Sequence, residues 1–109
     1  MGAESFVCTA CGKDAAEAFK FAVEQAQYDH GHAGYTGTIA EKDSFVMLKY
    51  PGNLEAVKCG NENPRNLAYD HCDDPEVDDK WGPAGCWDVG VTLKGETRHT
   101  FVFFGWASS

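Results

Sequence analysis

The chain has 109 residues, of which 43% are hydrophobic, and a formal net charge of −8. This length predicts a single domain over residues 1–109, with enough apolar residues for a core. The negative charge argues against direct nucleic-acid binding, which needs clustered Lys and Arg, and leaves a basic protein partner open. The sequence shows no signal peptide and no apolar run long enough to span a membrane, and it has an odd number of cysteines. We therefore expect a cytoplasmic protein with reduced thiols and no membrane contact.

The first half of the sequence predicts a strand, a helix and a hairpin. Alternating β-branched and aromatic residues favour a strand over 4–11. Helical spacing of apolar residues predicts a helix over 14–28, and Asp14 followed by Glu17 forms a capping-box pattern. Apolar segments at 38–40 and 45–48 flank the polar residues 41–44, which is typical of a β-hairpin. Asn53 and Asn63 are good N-caps for two short helices.

The second half ends in two apolar strands, over 86–93 and 99–106, with a hairpin turn at 94–97. Residues 99–106 are apolar on both faces, so this strand should lie centrally in the sheet. The order β-α-β-β-α-β-β predicts an α+β fold. The expected architecture is a two-layer sandwich, in which one main helix and the shorter ones cover one face of a mostly antiparallel sheet. A ferredoxin-like arrangement is one candidate.

A glycine-rich segment, the Gly-rich loop at residues 30–39, contains the densest group of reactive side chains. Its glycines permit sharp turns and close approach of the backbone to a ligand. Imidazole and hydroxyl groups between them suit a small polar, nucleotide-like ligand or a protein partner. The alternative is that the glycines serve turn geometry alone. The candidate ligand-binding residues are His30, His32, Tyr35, Thr36 and Thr38.

Metal binding is the alternative chemistry at this loop and near the start of the chain. The His30-x-His32 pair can supply two ligands to zinc, which would permit a metal-dependent hydrolase. Cys8-x-x-Cys11 looks like half of a zinc ribbon, but no second such pair follows it. Residues three apart on a strand also point to opposite faces. We therefore expect no cofactor, with zinc as the alternative.

Residues 70–80, which we call the acidic loop, carry six carboxylates around Pro75. Such a charge run is usually a solvated loop, but it can also dock on a basic protein surface. The following Trp81 could serve as an interface anchor or could pin the loop to the core. The candidate partner-binding residues are Asp73, Asp74, Asp78, Asp79 and Trp81.

Residues 26–42, which read Ala-Gln-Tyr-Asp-His-Gly-His-Ala-Gly-Tyr-Thr-Gly-Thr-Ile-Ala-Glu-Lys, resemble a segment of small proteins found in bacteria and their phages. The resemblance covers about a sixth of the chain. It implies no activity, cofactor or catalytic residue. It implies a context, that of a small accessory protein acting on a host or phage component.

These observations favour a small acidic, non-enzymatic binding protein that holds a polar ligand or a protein partner at the Gly-rich loop. Two alternatives remain. One is a metal-dependent hydrolase that uses His30 and His32. The other is an acidic inhibitor that docks on a basic protein through residues 70–79. Self-association into a homo-oligomer stays open.

Overall fold

A computed structural model of the chain describes residues 2–30, 37–90 and 98–108. Within these ranges the elements follow one another as four strands, three α-helices and a single 3₁₀ turn. In chain order they are β1 (Ala3–Gly12), α1 (Ala15–His30), the 3₁₀ turn (Ile39–Glu41), β2 (Phe45–Met47), α2 (Leu54–Lys58), α3 (Pro64–His71), β3 (Ala84–Gly90) and β4 (His99–Ser108).

The strands form one open, mixed sheet in the order β1-β4-β3-β2. β4 pairs antiparallel with both β1 and β3, whereas β2 pairs parallel with β3. The α+β class predicted from the sequence is therefore confirmed. The central position predicted for the last strand is confirmed as well, because β4 has a strand on each side.

Helices cover both faces of the sheet. Along β4, Val102 and Phe104 belong to a core with α2 and α3, whereas Phe101 and Phe103 belong to a second core with α1. All four side chains are 4% exposed or less. The prediction that the helices cover only one face of the sheet is wrong, because α2 and α3 pack on the face opposite α1. No local pattern in the sequence indicates this. The doubly apolar pattern of β4 follows from this arrangement.

The predicted helix starts are confirmed by their caps. The Asp14 carboxylate accepts a hydrogen bond from the Glu17 amide at 2.8 Å, and the Glu17 carboxylate accepts one from the Lys13 amide at 3.2 Å. The Asn53 side chain accepts hydrogen bonds from two amides of the first turn of α2, and the Asn63 side chain accepts one from the first turn of α3. These bonds satisfy amides that a helix N-terminus leaves without partners.

The hairpin predicted over 38–48 is wrong. Residues Ile39–Glu41 form a 3₁₀ turn, which begins after Thr38 and buries Ile39 against α1 and the sheet. β2 has no antiparallel partner from this segment and pairs instead with β3, which lies beyond α2 and α3 in the chain. Parallel neighbours need a crossover connection, and the two short helices supply it.

No helix within residues 2–30, 37–90 and 98–108 is long and apolar enough to cross a lipid bilayer.

Candidate functional site

The Gly-rich loop lies mostly outside the described residues. His32, Tyr35 and Thr36 fall in the segment 31–36, so their predicted roles stay predictions. His30 is the last residue of α1, as expected from its place in the sequence. The Thr38 hydroxyl accepts a hydrogen bond from the Ala40 amide at 3.2 Å, so this side chain caps the 3₁₀ turn.

A cavity of about 220 Å³ lies between α1 and β1, beside this loop. Its lining includes Asp29 and Thr38, which lie close to the two ends of the segment 31–36. The Asp29 carboxylate also accepts a hydrogen bond from the Gln25 side chain at 3.2 Å. The described residues on either side of the segment 31–36 therefore border a concave space lined by a carboxylate and a hydroxyl.

Lys42 is the residue that positions the acidic loop. Its side chain is only 4% exposed, and its Nζ donates hydrogen bonds to three backbone carbonyls, those of Asp79 at 3.2 Å, Lys80 at 3.2 Å and Gly82 at 2.8 Å. An ammonium group has three N–H donors, so all three are used. Burial lowers the pKa of Lys42 from its ordinary value, and the nearby Asp79 carboxylate opposes this shift. No local pattern predicts this role, because a single lysine in a polar segment is typical of a solvated turn.

Three of the four predicted partner-binding carboxylates make hydrogen bonds within the protein. Asp73 accepts one from the Trp106 indole at 3.0 Å, and Asp74 pairs with the His71 ring at 2.9 Å. Asp79 accepts one from the Trp81 amide at 2.9 Å. These contacts hold the loop against α3 and β4. Val77 adds an apolar attachment, since its side chain is 1% exposed and packs in the core.

Trp81 and Asp78 are the outward-facing part of the same region. The Trp81 side chain is 68% exposed, and the Lys80 Nζ lies 5.3 Å from its ring centroid, within cation–π range. Asp78 is exposed as well, and no hydrogen bond or ion pair of its side chain occurs among the residues that the structure describes. Trp81 therefore does not pin the loop to the core, which was the alternative to an interface anchor.

The cysteines make no metal cluster in the described ranges. Cys8 packs with the core beneath α1, whereas the Cys11 thiol lies 3.4 Å from the Thr100 hydroxyl. No group of three or more His, Cys, Asp or Glu residues that could hold a metal occurs within residues 2–30, 37–90 and 98–108. Burial raises the pKa of the Cys8 thiol to about 12, although the positive charge of Arg65 opposes this shift. Such a thiol is protonated at neutral pH and is a weak nucleophile.

A larger cleft, of about 620 Å³, opens between the end of β1 and the turn that joins α2 to α3. Thr9 and Cys11 line one side, and Glu62 and Arg65 line the other. Glu62 is already engaged, because its carboxylate accepts hydrogen bonds from the Tyr50 hydroxyl and from the Asn53 amide. These contacts fix the turn beside α2. The sequence analysis missed this cleft, because its lining residues are far apart in the chain.

No protein-family model matches this chain, and no curated protein or solved structure matches it. A function must therefore be argued from the chain's own residues.

Proposed function

We propose that this protein is a non-enzymatic binding protein that docks on a basic surface of a protein partner through the acidic loop and Trp81. The observation that carries the proposal is the combination of a buried Lys42, which holds the loop by three carbonyls, with a Trp81 side chain that is 68% exposed. An accessory protein of the cytoplasm that acts on a host or phage component fits this activity.

Preorganisation of the loop supports the proposal. Binding costs free energy when a loop must be ordered at the interface, and a loop that is already held loses less. Here the backbone is fixed by Lys42, and the side chains of Asp73, Asp74 and Asp79 are fixed by partners within the protein. The exposed indole therefore occupies a defined position before any partner arrives.

The chemistry of the exposed groups indicates a basic partner. Tryptophan is among the residues that most often contribute large binding energies at protein interfaces. Asp78 and Glu76 of the same loop are exposed carboxylates, and the whole chain carries a net charge of −8, whereas the Lys80 Nζ lies against the Trp81 ring. A negatively charged loop next to an aromatic anchor favours a positively charged surface and speeds the encounter with it.

Removing the Trp81 indole or reversing the charge of Asp78 should weaken binding to a basic probe. With poly-L-lysine as the probe, we expect Trp81→Ala to weaken binding by about tenfold or more and Asp78→Lys by about threefold to tenfold. Neither residue is buried, so both variants should fold. Isothermal titration calorimetry at two salt concentrations measures both effects, and binding of the unaltered protein should weaken as salt rises.

Glu24→Lys is the matched control for Asp78→Lys. Glu24 is exposed on α1, and its replacement changes the net charge by the same amount. It should weaken binding much less than Asp78→Lys does. Equal effects of the two variants would mean that the probe senses only the overall charge, and the proposed docking surface would be wrong.

A second candidate function is the binding of a small polar ligand at the Gly-rich loop, and the 220 Å³ cavity is the observation that favours it. This volume is smaller than a typical ligand pocket of about 300 Å³ or more. It suits one part of a ligand, such as the sugar of a nucleotide. Its Asp29 carboxylate and Thr38 hydroxyl are groups that hydrogen-bond to sugar hydroxyls.

A thermal-shift screen with nucleosides and nucleotides tests this candidate. A ligand that binds the folded protein should raise the midpoint of thermal unfolding, by an amount that grows with ligand concentration. The double variant His32→Ala, Tyr35→Ala should lose that increase while its own unfolding midpoint stays near that of the unaltered protein. A double variant that still responds equally would exclude the loop as the site.

A further inference from the structure

The 620 Å³ cleft lies on the face of the sheet that α2 and α3 cover. Successive side chains of a strand point to opposite faces, so Thr9 and Cys11 of β1 point to the same face as Val7, which packs in the core with these two helices. The opposite wall comes from the turn that joins α2 to α3 and from the first residues of α3. A volume of this size lies within the range of about 300 to 1,000 Å³ that small-molecule sites occupy.

Arg65 supplies a positive charge at this cleft. Among the residues that the structure describes, its guanidinium makes no ion pair, and its hydrogen bond to the Val7 carbonyl is 3.5 Å long. A guanidinium has five N–H donors, and a bond of that length is weak. The carboxylate of Glu62, in the same wall, is held by the Tyr50 hydroxyl and the Asn53 amide instead. The cleft therefore offers an available cation in a chain whose net charge is −8.

Two further donors line the cleft. The contact with the Val7 carbonyl places the Arg65 guanidinium two residues before Thr9 along β1. Thr9 is exposed, and its hydroxyl makes no hydrogen bond within the described ranges. The Asn63 side chain caps α3 through its oxygen, which leaves its amide N–H groups as donors. Since the Glu62 carboxylate is engaged, the polar part of a ligand should be a hydrogen-bond acceptor.

Much of the remaining lining is apolar. It includes Val57 of α2, Pro64 of α3 and Val89 of β3, and the two valines belong to the core. An apolar surface with a few donors beside it suits a ligand that has one polar end and an apolar body. A single available cation in a strongly acidic chain favours a single negative charge on that end. A carboxylate carries one charge, whereas a phosphate monoester carries about 1.5 to 2 at pH 7.

We propose that this cleft binds a small monocarboxylate with an apolar body. The Arg65 guanidinium donates two parallel hydrogen bonds to the carboxylate, an arrangement that the planar shape of both groups favours. The Thr9 hydroxyl donates another, and the apolar body packs on Val57 and Val89. The weak contact between Arg65 and the Val7 carbonyl gives way to the ligand. None of the described residues that line the cleft belongs to the acidic loop, so this binding activity is independent of the docking surface.

Nuclear magnetic resonance titrations of the isotope-labelled protein with phenylacetate, isovalerate and hexanoate test the proposal. We expect the tightest of the three to bind with a dissociation constant of about 1 mM or lower and to shift the amide signals of residues 9–11 and 60–65. Phenylacetamide, which keeps the body of phenylacetate without its charge, should bind about tenfold more weakly than phenylacetate. Phenyl phosphate should bind more weakly as well.

Three results of these titrations would overturn the proposal. The first is that none of the carboxylates binds, and the second is that the shifted signals lie outside residues 9–11 and 60–65. The third is that phenylacetamide or phenyl phosphate binds as tightly as phenylacetate, because the site would then not select a monocarboxylate.

Replacing Arg65 tests the anchor of the site. Arg65→Gln should weaken binding of the tightest probe by about tenfold or more, because it removes the charge and the paired donors. Arg65 is exposed, so the variant should fold. Lys20→Gln is the matched control, since Lys20 is an exposed residue of α1, on the other face of the sheet, and it should change binding by less than about twofold. If Arg65→Gln has no effect, or no more effect than Lys20→Gln, Arg65 is not the anchor and the proposal is wrong.

Two further variants define the site. Thr9→Val removes the hydroxyl while keeping the shape of the side chain, and it should weaken binding of the probe by about threefold. Trp81→Ala should leave binding of the probe unchanged, although it impairs docking. Circular dichroism of each variant reports whether it folds. A loss of probe binding in Trp81→Ala would place the carboxylate at the acidic loop, and unaltered binding in Thr9→Val would overturn the part assigned to Thr9.

Discussion

Replacing Lys42 with methionine is expected to lower the free energy of unfolding by about 3 kcal/mol. Methionine keeps the length of the side chain but removes the three donors that hold the carbonyls of Asp79, Lys80 and Gly82. Buried carbonyls that lose their donors each carry a desolvation cost, part of which hydration of the loop recovers. Urea denaturation followed by circular dichroism measures the loss.

The same substitution should loosen the acidic loop before it unfolds the sheet. Hydrogen exchange should become faster in residues 78–83, with little change in β3 and β4. Lys49→Met is the matched control, because Lys49 is exposed, and it should change stability by less than about 0.5 kcal/mol. Unchanged exchange in residues 78–83 of the Lys42 variant would show that other contacts position the loop. The docking surface would then lose its main structural support.

Raising the pH from about 7 to about 10 is expected to lower the free energy of unfolding by about 3 kcal/mol through the buried Cys86 thiol and the partly buried Cys8 thiol. Burial raises the pKa of Cys8 and of Cys86 to about 12, from an ordinary value of 9.0. Below pH 9 both thiols are protonated in the folded chain and in the unfolded chain, so the free energy of unfolding keeps its full value there. Above that pH the unfolded chain releases these protons first, so the free energy of unfolding falls.

Urea denaturation across this pH range, in the presence of a reducing agent, measures the effect. Cys86→Ala should reduce the dependence on pH by about half, although the substitution also costs some stability at neutral pH. Cys59→Ala should leave the pH dependence unchanged, because Cys59 is exposed. A pH dependence that is undiminished in Cys86→Ala would assign the effect to other groups. Tyr50 is the first of these, since burial and the Glu62 carboxylate raise its pKa.

The elements predicted correctly from the sequence are those with local signals. Asp14, Asn53 and Asn63 each mark a helix start, because their side chains bond to amides two or three residues further on. The central position of β4 was also readable, because a strand covered on both faces must be apolar at successive positions. Such signals need only neighbouring residues.

The features that the sequence did not reveal depend on contacts between distant residues. Residues 38–40 have the composition of a strand, but the Thr38 hydroxyl caps a 3₁₀ turn there and Ile39 packs against α1. The parallel pairing of β2 with β3 spans two helices, and the burial of Lys42 depends on carbonyls about 40 residues away. No local pattern specifies these partners.

In the candidate site, too, some features could be predicted from residue types and others depend on contacts between distant residues. The acidity of residues 70–80 was evident from residue types alone, whereas the sequence left open whether Trp81 is exposed or packs on the core. The sequence could not distinguish Asp78, which faces outward, from Asp73, whose carboxylate holds the Trp106 indole. A run of carboxylates therefore predicts where a charged surface lies, and only the fold shows which of its members are available to a partner.

The place of β4 in both the chain and the sheet has a consequence for the order of folding. β4 comes last among the described elements, yet it separates β1 from β3 and pairs with both. β1 and β3 therefore have no neighbour to join them until β4 is in place. Assembly of the sheet brings together segments that are far apart in the chain, and such folding is slow compared with that of helical domains.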